Sequence, residues 1–101
     1  MADIEIIEKI EESIQVQIPK MYKVIIHNDD TTTFDFVIEV LVRIFHRNLQ
    51  DAIELTKTVH LTGQGIAGAP YTQEVAEEKT EETVSFARAN GFPLTVTYEE
   101  V

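Results

Sequence analysis

The sequence predicts an α+β domain of order βααβαβ: a three-stranded, mainly antiparallel sheet packed with three helices on one face. Three observations predict it. A short β-branched run, Met21 to His27, is bounded by turn formers; three later segments open on helix-capping residues; and the chain closes on an alternating stretch, Leu94 to Tyr98. At 101 residues and 44% hydrophobic, the chain has the size of one domain with one modest core.

Residues Met1 to Lys20 are acidic and isoleucine-rich, with Ile7, Ile10 and Ile14 at three- and four-residue spacing. Pro19 disfavours helix at Ile18, so a flexible acidic extension is expected over residues 1–20, ahead of a core over 21–101. Met21 to His27 reads as a buried strand, stopped by Asn28-Asp29-Asp30. The first helix is expected from Phe34 to His46, with Thr32 as N-cap and Asp35 three residues on. Its apolar stripe, Val37, Val40, Leu41, Ile44 and Phe45, should face the core.

Asn48 should cap a second helix, Leu49 to Leu61, with Asp51 at its third position and Gly63 as the left-handed stop. Gln64 to Pro70 reads as a second strand, although three of its seven positions are Gly or Pro. Thr72 should open a third helix, Gln73 to Asn90, closed by Gly91 and Pro93. The final strand is Leu94 to Tyr98.

Composition narrows the function. Eighteen acidic against eight basic residues give a net charge of −10, a surface that repels nucleic acid and anionic membranes and favours protein or cationic partners. The absence of cysteine excludes disulfides, thiolate catalysis and zinc-thiolate sites. Asp3, Glu5 and Glu8 break up any signal-peptide core, and no stretch approaches the roughly 20 apolar residues of a membrane span. A soluble, cytoplasmic protein is expected.

The chemistry-bearing stretch is the strand exit. Asn28 offers a carbonyl acceptor, Asp29 a carboxylate, and His60 an imidazole acceptor if the second helix ends nearby: three acceptors suited to one ammonium group. Ile26, Val37, Thr56 and Val59 are placed to wall an apolar slot beside them. The same residues also read as an ordinary turn and a histidine complementing a helix dipole, as a metal set of His27, Asp29 and His60, or as an acid–base pair of His60 and Asp29. No nucleophile motif is present.

The motifs MYKVIIHNDD (residues 21–30), FVIEVL (36–41), TVH followed by GQGIAG (58–68), YTQEVAEEKT (71–80) and ARANGFPL (87–94) together resemble the ClpS adaptors. These proteins recognise amino-terminal degradation signals and deliver their bearers to a Clp-type ATPase and its protease. The resemblance covers about residues 21 to 98. It implies three helices on a three-stranded sheet, a non-enzymatic adaptor and no cofactor. Asn28, Asp29 and His60 would hold the substrate's α-amino group. Ile26, Thr32, Phe34, Val37, Thr56, Val59 and Leu94 would form a pocket for a first residue of Phe, Tyr, Trp or Leu. Glu74 and Lys79 would contact the amino-terminal domain of a ClpA- or ClpC-type AAA+ ATPase, and the adaptor would be a monomer.

This chain departs from the family's usual pattern at Thr31, Thr33 and Asp35 after the NDD motif, and in three places that bear more directly on the site and its helices. Phe34 and Thr56 stand where methionines are usual, and the link Gly68-Ala69-Pro70-Tyr71 is one residue longer. A stiff ring at the rim is expected to reject β-branched first residues, and a smaller Thr56 to favour aromatic ones over Leu. A scaffold of similar fold, binding a partner through the third helix without a peptide pocket, is the alternative.

Overall fold

The computed structural model describes residues 19–101. In order they form β1 (Tyr22–His27), α1 (Phe34–Arg43), α2 (Leu49–Thr62), β2 (Gln64–Tyr71), α3 (Gln73–Ala89) and β3 (Thr95–Glu100), the expected βααβαβ. The sheet order is β2-β1-β3 and both pairings are antiparallel. Apart from Pro19 and Lys20, the extension expected over residues 1–20 lies outside the described residues. Among the described residues no helix is long and apolar enough to cross a membrane.

The apolar run of β1 is central because both its edges are paired and its core-facing side chains are covered. Val24 and Ile26 are fully buried, and with Val96 of β3 and Ala67 of β2 they meet Val40 and Leu41 of α1, Ala52 and Val59 of α2, and Ala76 and Ala87 of α3. Alternation sends His27 to the opposite face, where its Nε2 bonds the Thr97 hydroxyl at 2.8 Å.

The ends of α1 differ from expectation. Its N-cap is Thr33, whose hydroxyl accepts from the Phe36 amide. Thr32 is unavailable because both its amide and its hydroxyl bond to Asp29. The turn therefore runs one residue further, and Asp35 is not a capping-box partner. At the other end the helix stops at Arg43 rather than His46, because His46 adopts a left-handed φ of 55° and the Arg47 amide closes back on the Leu41 carbonyl. Lys79 reaches across from α3 and donates to the Ile44 carbonyl at 2.7 Å, placing a cation at the negative end of α1. The caps of α2 and α3 are the expected ones: Asn48 accepts from Asp51, Thr72 from Val75, and Gly63 turns left-handed at φ 96°.

β2 tolerates its glycines because they admit neighbours. A Cβ on Gly65 would lie 2.8 Å from Val59 Cγ2 and 3.0 Å from Leu55 Cδ1, so its absence lets α2 settle onto the strand. Gly68 likewise makes room for the Tyr71 hydroxyl. Ile66 pairs with Ile25 and Gly68 with Val24, which leaves Ala67 as the extra residue of a bulge. Arg47 fixes this irregularity from outside, its Nε donating to the Ala67 carbonyl at 2.8 Å and Nη2 to that of Ile66 at 3.1 Å.

Candidate functional site

The site begins where β1 runs out. The Asn28 amide donates to the Gly63 carbonyl at 2.8 Å, tying the strand exit to the turn that ends α2. That tie brings His60, in the last turn of α2, to the Asn28-Asp29 corner. Asp29 then shapes the turn. Its Oδ1 accepts from the Thr31 amide at 2.8 Å and the Thr32 amide at 2.6 Å, and its Oδ2 accepts from the Thr32 hydroxyl at 2.6 Å. Burial pushes the Asp29 carboxyl up; hydrogen bonds from the Thr32 side chain and from the two amides, with the charge of Arg88, outweigh it and hold the group below its ordinary value. The carboxylate is thus ionised and fixed, with acceptor capacity left on Oδ2.

A pocket of about 280 Å³ opens here, lined by Asn28, Asp29, Asp30, Thr32, Phe34, Val37, Thr56, Val59 and His60. Its two walls differ. Asn28, Asp29 and His60 supply acceptors, while Phe34, Val37 and Val59 supply apolar surface. Thr56 belongs with the apolar wall in effect: it is buried, and its hydroxyl donates to the Ala52 carbonyl of its own helix at 2.7 Å. Phe34 stands at the mouth, 40% exposed, its ring edge-on to that of His60 at a centroid distance of 6.2 Å. The volume is near the lower end for ligand pockets, the size of a single large side chain rather than of a larger molecule.

The structure gathers eight of the expected site residues around this pocket: Asn28, Asp29, Thr32, Phe34, Val37, Thr56, Val59 and His60. Ile26 and Leu94 are not on its wall. Ile26 is 0% and Leu94 1% exposed, both packed into the core between sheet and helices, where their side chains are already covered. Asp30 also lines the pocket; in the sequence it shows only as part of a turn, with its place in the acidic pair as the available signal. Glu74 and Lys79 lie on α3, away from the pocket, with Glu74 exposed in the first turn. His27 is held by Thr97 on the other sheet face and does not join Asp29 and His60. Among the described residues no three His, Cys, Asp or Glu side chains gather as a metal-holding group.

Comparison with known proteins decides the family. Residues 17–97 match the family described as ATP-dependent Clp protease adaptor protein ClpS. The chain belongs to the ClpS family. The adaptor of Clostridium acetobutylicum is 45% identical over 94 residues, which are 93% of this chain and 92% of that one. Its counterpart in Campylobacter jejuni is 50% identical over 82 residues, 81% of this chain and 84% of that one. Among solved structures, Agrobacterium tumefaciens ClpS2 bound to L-phenylalaninamide superposes with a TM-score of 0.79 at 32% identity, covering 83% of this chain and all of that one. A ClpS protein is an adaptor of the ATP-dependent Clp protease and not an enzyme, so hydrolysis and proteolysis fall to its partners.

Proposed function

We propose that this ClpS protein binds the free amino terminus of polypeptides whose first residue is Phe, Tyr or Trp, and more weakly Leu, and delivers them to a ClpA- or ClpC-type AAA+ ATPase. One observation carries the reading: a single small pocket joins three acceptors, Asn28, Asp29 and His60, to an apolar wall of Phe34, Val37, Thr56 and Val59. An ammonium and the side chain on the same Cα satisfy both walls at once. L-phenylalaninamide, which ClpS2 binds, carries a free α-amino group beside a phenyl ring, and so has both features.

The energetics suit transient binding. Burying one large apolar side chain is worth roughly 1.5–3 kcal/mol, and each hydrogen bond to a charged group about 1.5–3 kcal/mol. After the cost of association, micromolar affinity remains, about −8 kcal/mol. An adaptor has to release what it carries. Selectivity for a true amino terminus follows from Asp29: acetylation removes the cation and leaves a fixed carboxylate facing a neutral amide.

Delivery would use α3. Glu74 is exposed there, and we assign the ATPase contact to it and to Lys79, acting from a cytoplasmic monomer. Binding of labelled peptides that differ only at residue one (Phe, Tyr, Trp, Leu, Ile), each with a free or acetylated end, tests the reading by fluorescence anisotropy. The expected order is aromatic over Leu over Ile, with loss on acetylation. Equal binding of free and acetylated peptides would overturn it.

A further inference from the structure

A second concavity lies on the far side of the Asp30-Thr31-Thr32 turn. It is shallow and lined by Thr31, Arg88, Gly91, Phe92 and Pro93. Asp30 and Thr32 face the first pocket while Thr31 faces the second, so one turn forms the wall between them. Because the wall between them is a single turn, a chain anchored by its amino terminus in the first pocket and leaving over that turn would reach the second within its first few extended residues.

The chemistry of that surface is set by Arg88. In an acidic protein, Lys20, Lys23 and Arg43 each contact a glutamate, at 3.8, 3.4 and 3.0 Å. Among the described residues Arg88, like Arg47, Lys57 and Lys79, has no carboxylate in ion-pair contact. It is nonetheless held still, one Nη1 donating to the carbonyls of Phe92 at 2.8 Å and Leu94 at 3.1 Å. The guanidinium's other donors make no hydrogen bond to the described residues, which is a pre-oriented fork for a carboxylate. The surrounding wall is firm, since the Phe92 ring packs on Phe36 at a centroid distance of 4.7 Å. Gly91, left-handed at φ 79°, has nothing within 4 Å of where a Cβ would stand and leaves the concavity open. Arg88 is also near enough to Asp29 for its charge to help lower that carboxyl, which sets the two sites side by side.

We infer that the Thr31–Arg88–Phe92 concavity is a second subsite, taking an Asp or Glu side chain at the third or fourth residue of a bound polypeptide. The inference rests on the amino-terminus reading above and adds a substrate class to it: an aromatic first residue followed, two or three places on, by an acid. The sign of the surface inverts across Thr31. Residue two passes Asp30 and gains nothing from an acidic side chain, whereas residues three and four come under Arg88.

The test uses Phe-first peptides with a free amine, carrying Glu or the isosteric Gln at residue two, three or four, titrated into the full chain, Arg88→Gln and Arg88→Lys. The full chain should bind Glu over Gln about threefold more tightly at residue three or four and not at residue two, as for a solvent-exposed ion pair. Salt at about 0.5 M should erase the preference. In Arg88→Gln the ratio should fall to one, and Arg88→Lys should keep part of it. If the Gln peptides bind but the full chain never prefers Glu, the subsite is overturned and the pocket stands. A Glu preference that persists undiminished in Arg88→Gln would also overturn it. If a folded sample binds no Phe-first peptide, the amino-terminus reading fails, and this inference with it.

Discussion

Replacing Asp29 by Asn separates the part its carboxylate plays in the fold from the part proposed for it in binding. In the fold Asp29 accepts three hydrogen bonds, from the Thr31 amide, the Thr32 amide and the Thr32 hydroxyl. Asp29→Asn keeps an oxygen for the two amides, and its new amino group can donate to the Thr32 hydroxyl, which then serves as acceptor. The number of bonds is conserved and only the charge is lost. Because Asp29 is partly solvated, the loss to the fold is discounted to about 1 kcal/mol, or a fall in Tm of about 4–8 °C. Binding should suffer more. The ammonium loses a charge-assisted bond and meets a donor instead, a penalty of about 2 kcal/mol or roughly 30-fold in Kd. Thermal melts by circular dichroism and anisotropy with a Phe-first peptide read the two effects independently. Affinity within twofold of the parent, from a folded variant, would refute Asp29 as the counter-charge of the amino group.

Acid should act through the same residue. The Asp29 carboxyl is depressed in the fold, so its stabilisation is fully present above the ordinary carboxylate range and is lost as pH falls below about 4. Urea midpoints measured down to about pH 3 should drop more steeply for the parent than for Asp29→Asn. Gly65→Ala places a methyl 2.8 Å from Val59 Cγ2; it should cost about 1–3 kcal/mol and weaken peptide binding by lifting the wall that carries Thr56, Val59 and His60, both measurable by urea melts and anisotropy. Phe34→Ala removes the exposed ring at the mouth; with little loss of Tm, it should narrow the gap between Leu- and Ile-first peptides, and an unchanged gap would take Phe34 out of the selection. Thr56→Met should fill the pocket and shift preference from Trp toward Leu, scored on the same peptide panel.

Most of the architecture was legible because it is written in local rules. Asn48, Thr72 and Gly63 announce helix ends through their own side chains or lack of one, and β1 through its branched residues. The first cap lies one position beyond the expected Thr32 for a reason no local pattern carries. Thr32 and Thr33 are equal candidates until Asp29 claims Thr32, and that contest is decided in three dimensions. Ile26 is expected at the pocket because it stands just before the Asn28-Asp29-Asp30 turn. Alternation does put it on the helix-facing side, but depth within that side is invisible to period-two reasoning. Leu94 is implied in the pocket by the family resemblance alone, and it too lies in the core. Gly65 and Gly68 weakened the case for β2 on propensity, whereas their bare backbone is what lets α2 and Tyr71 approach. Arg88 shows itself in the sequence as one member of a familiar motif; its two carbonyl partners, and the lack of a carboxylate beside it among the described residues, need the folded loop after α3.

The guanidinium that grips the β2 bulge bears on how such an adaptor works. A polypeptide on its way to a protease is extended and unfolded, and an open sheet edge would pair with it by backbone alone, whatever its first residue. On β2 the Ile66 and Ala67 carbonyls are already taken by Arg47, and Pro70 has no N–H to offer. The edge beside the pocket-bearing helix is therefore mute toward passing backbone at these positions. At these positions the middle of a passing chain finds no backbone partner, which under the reading proposed above leaves the choice to the cavity and to what a chain begins with.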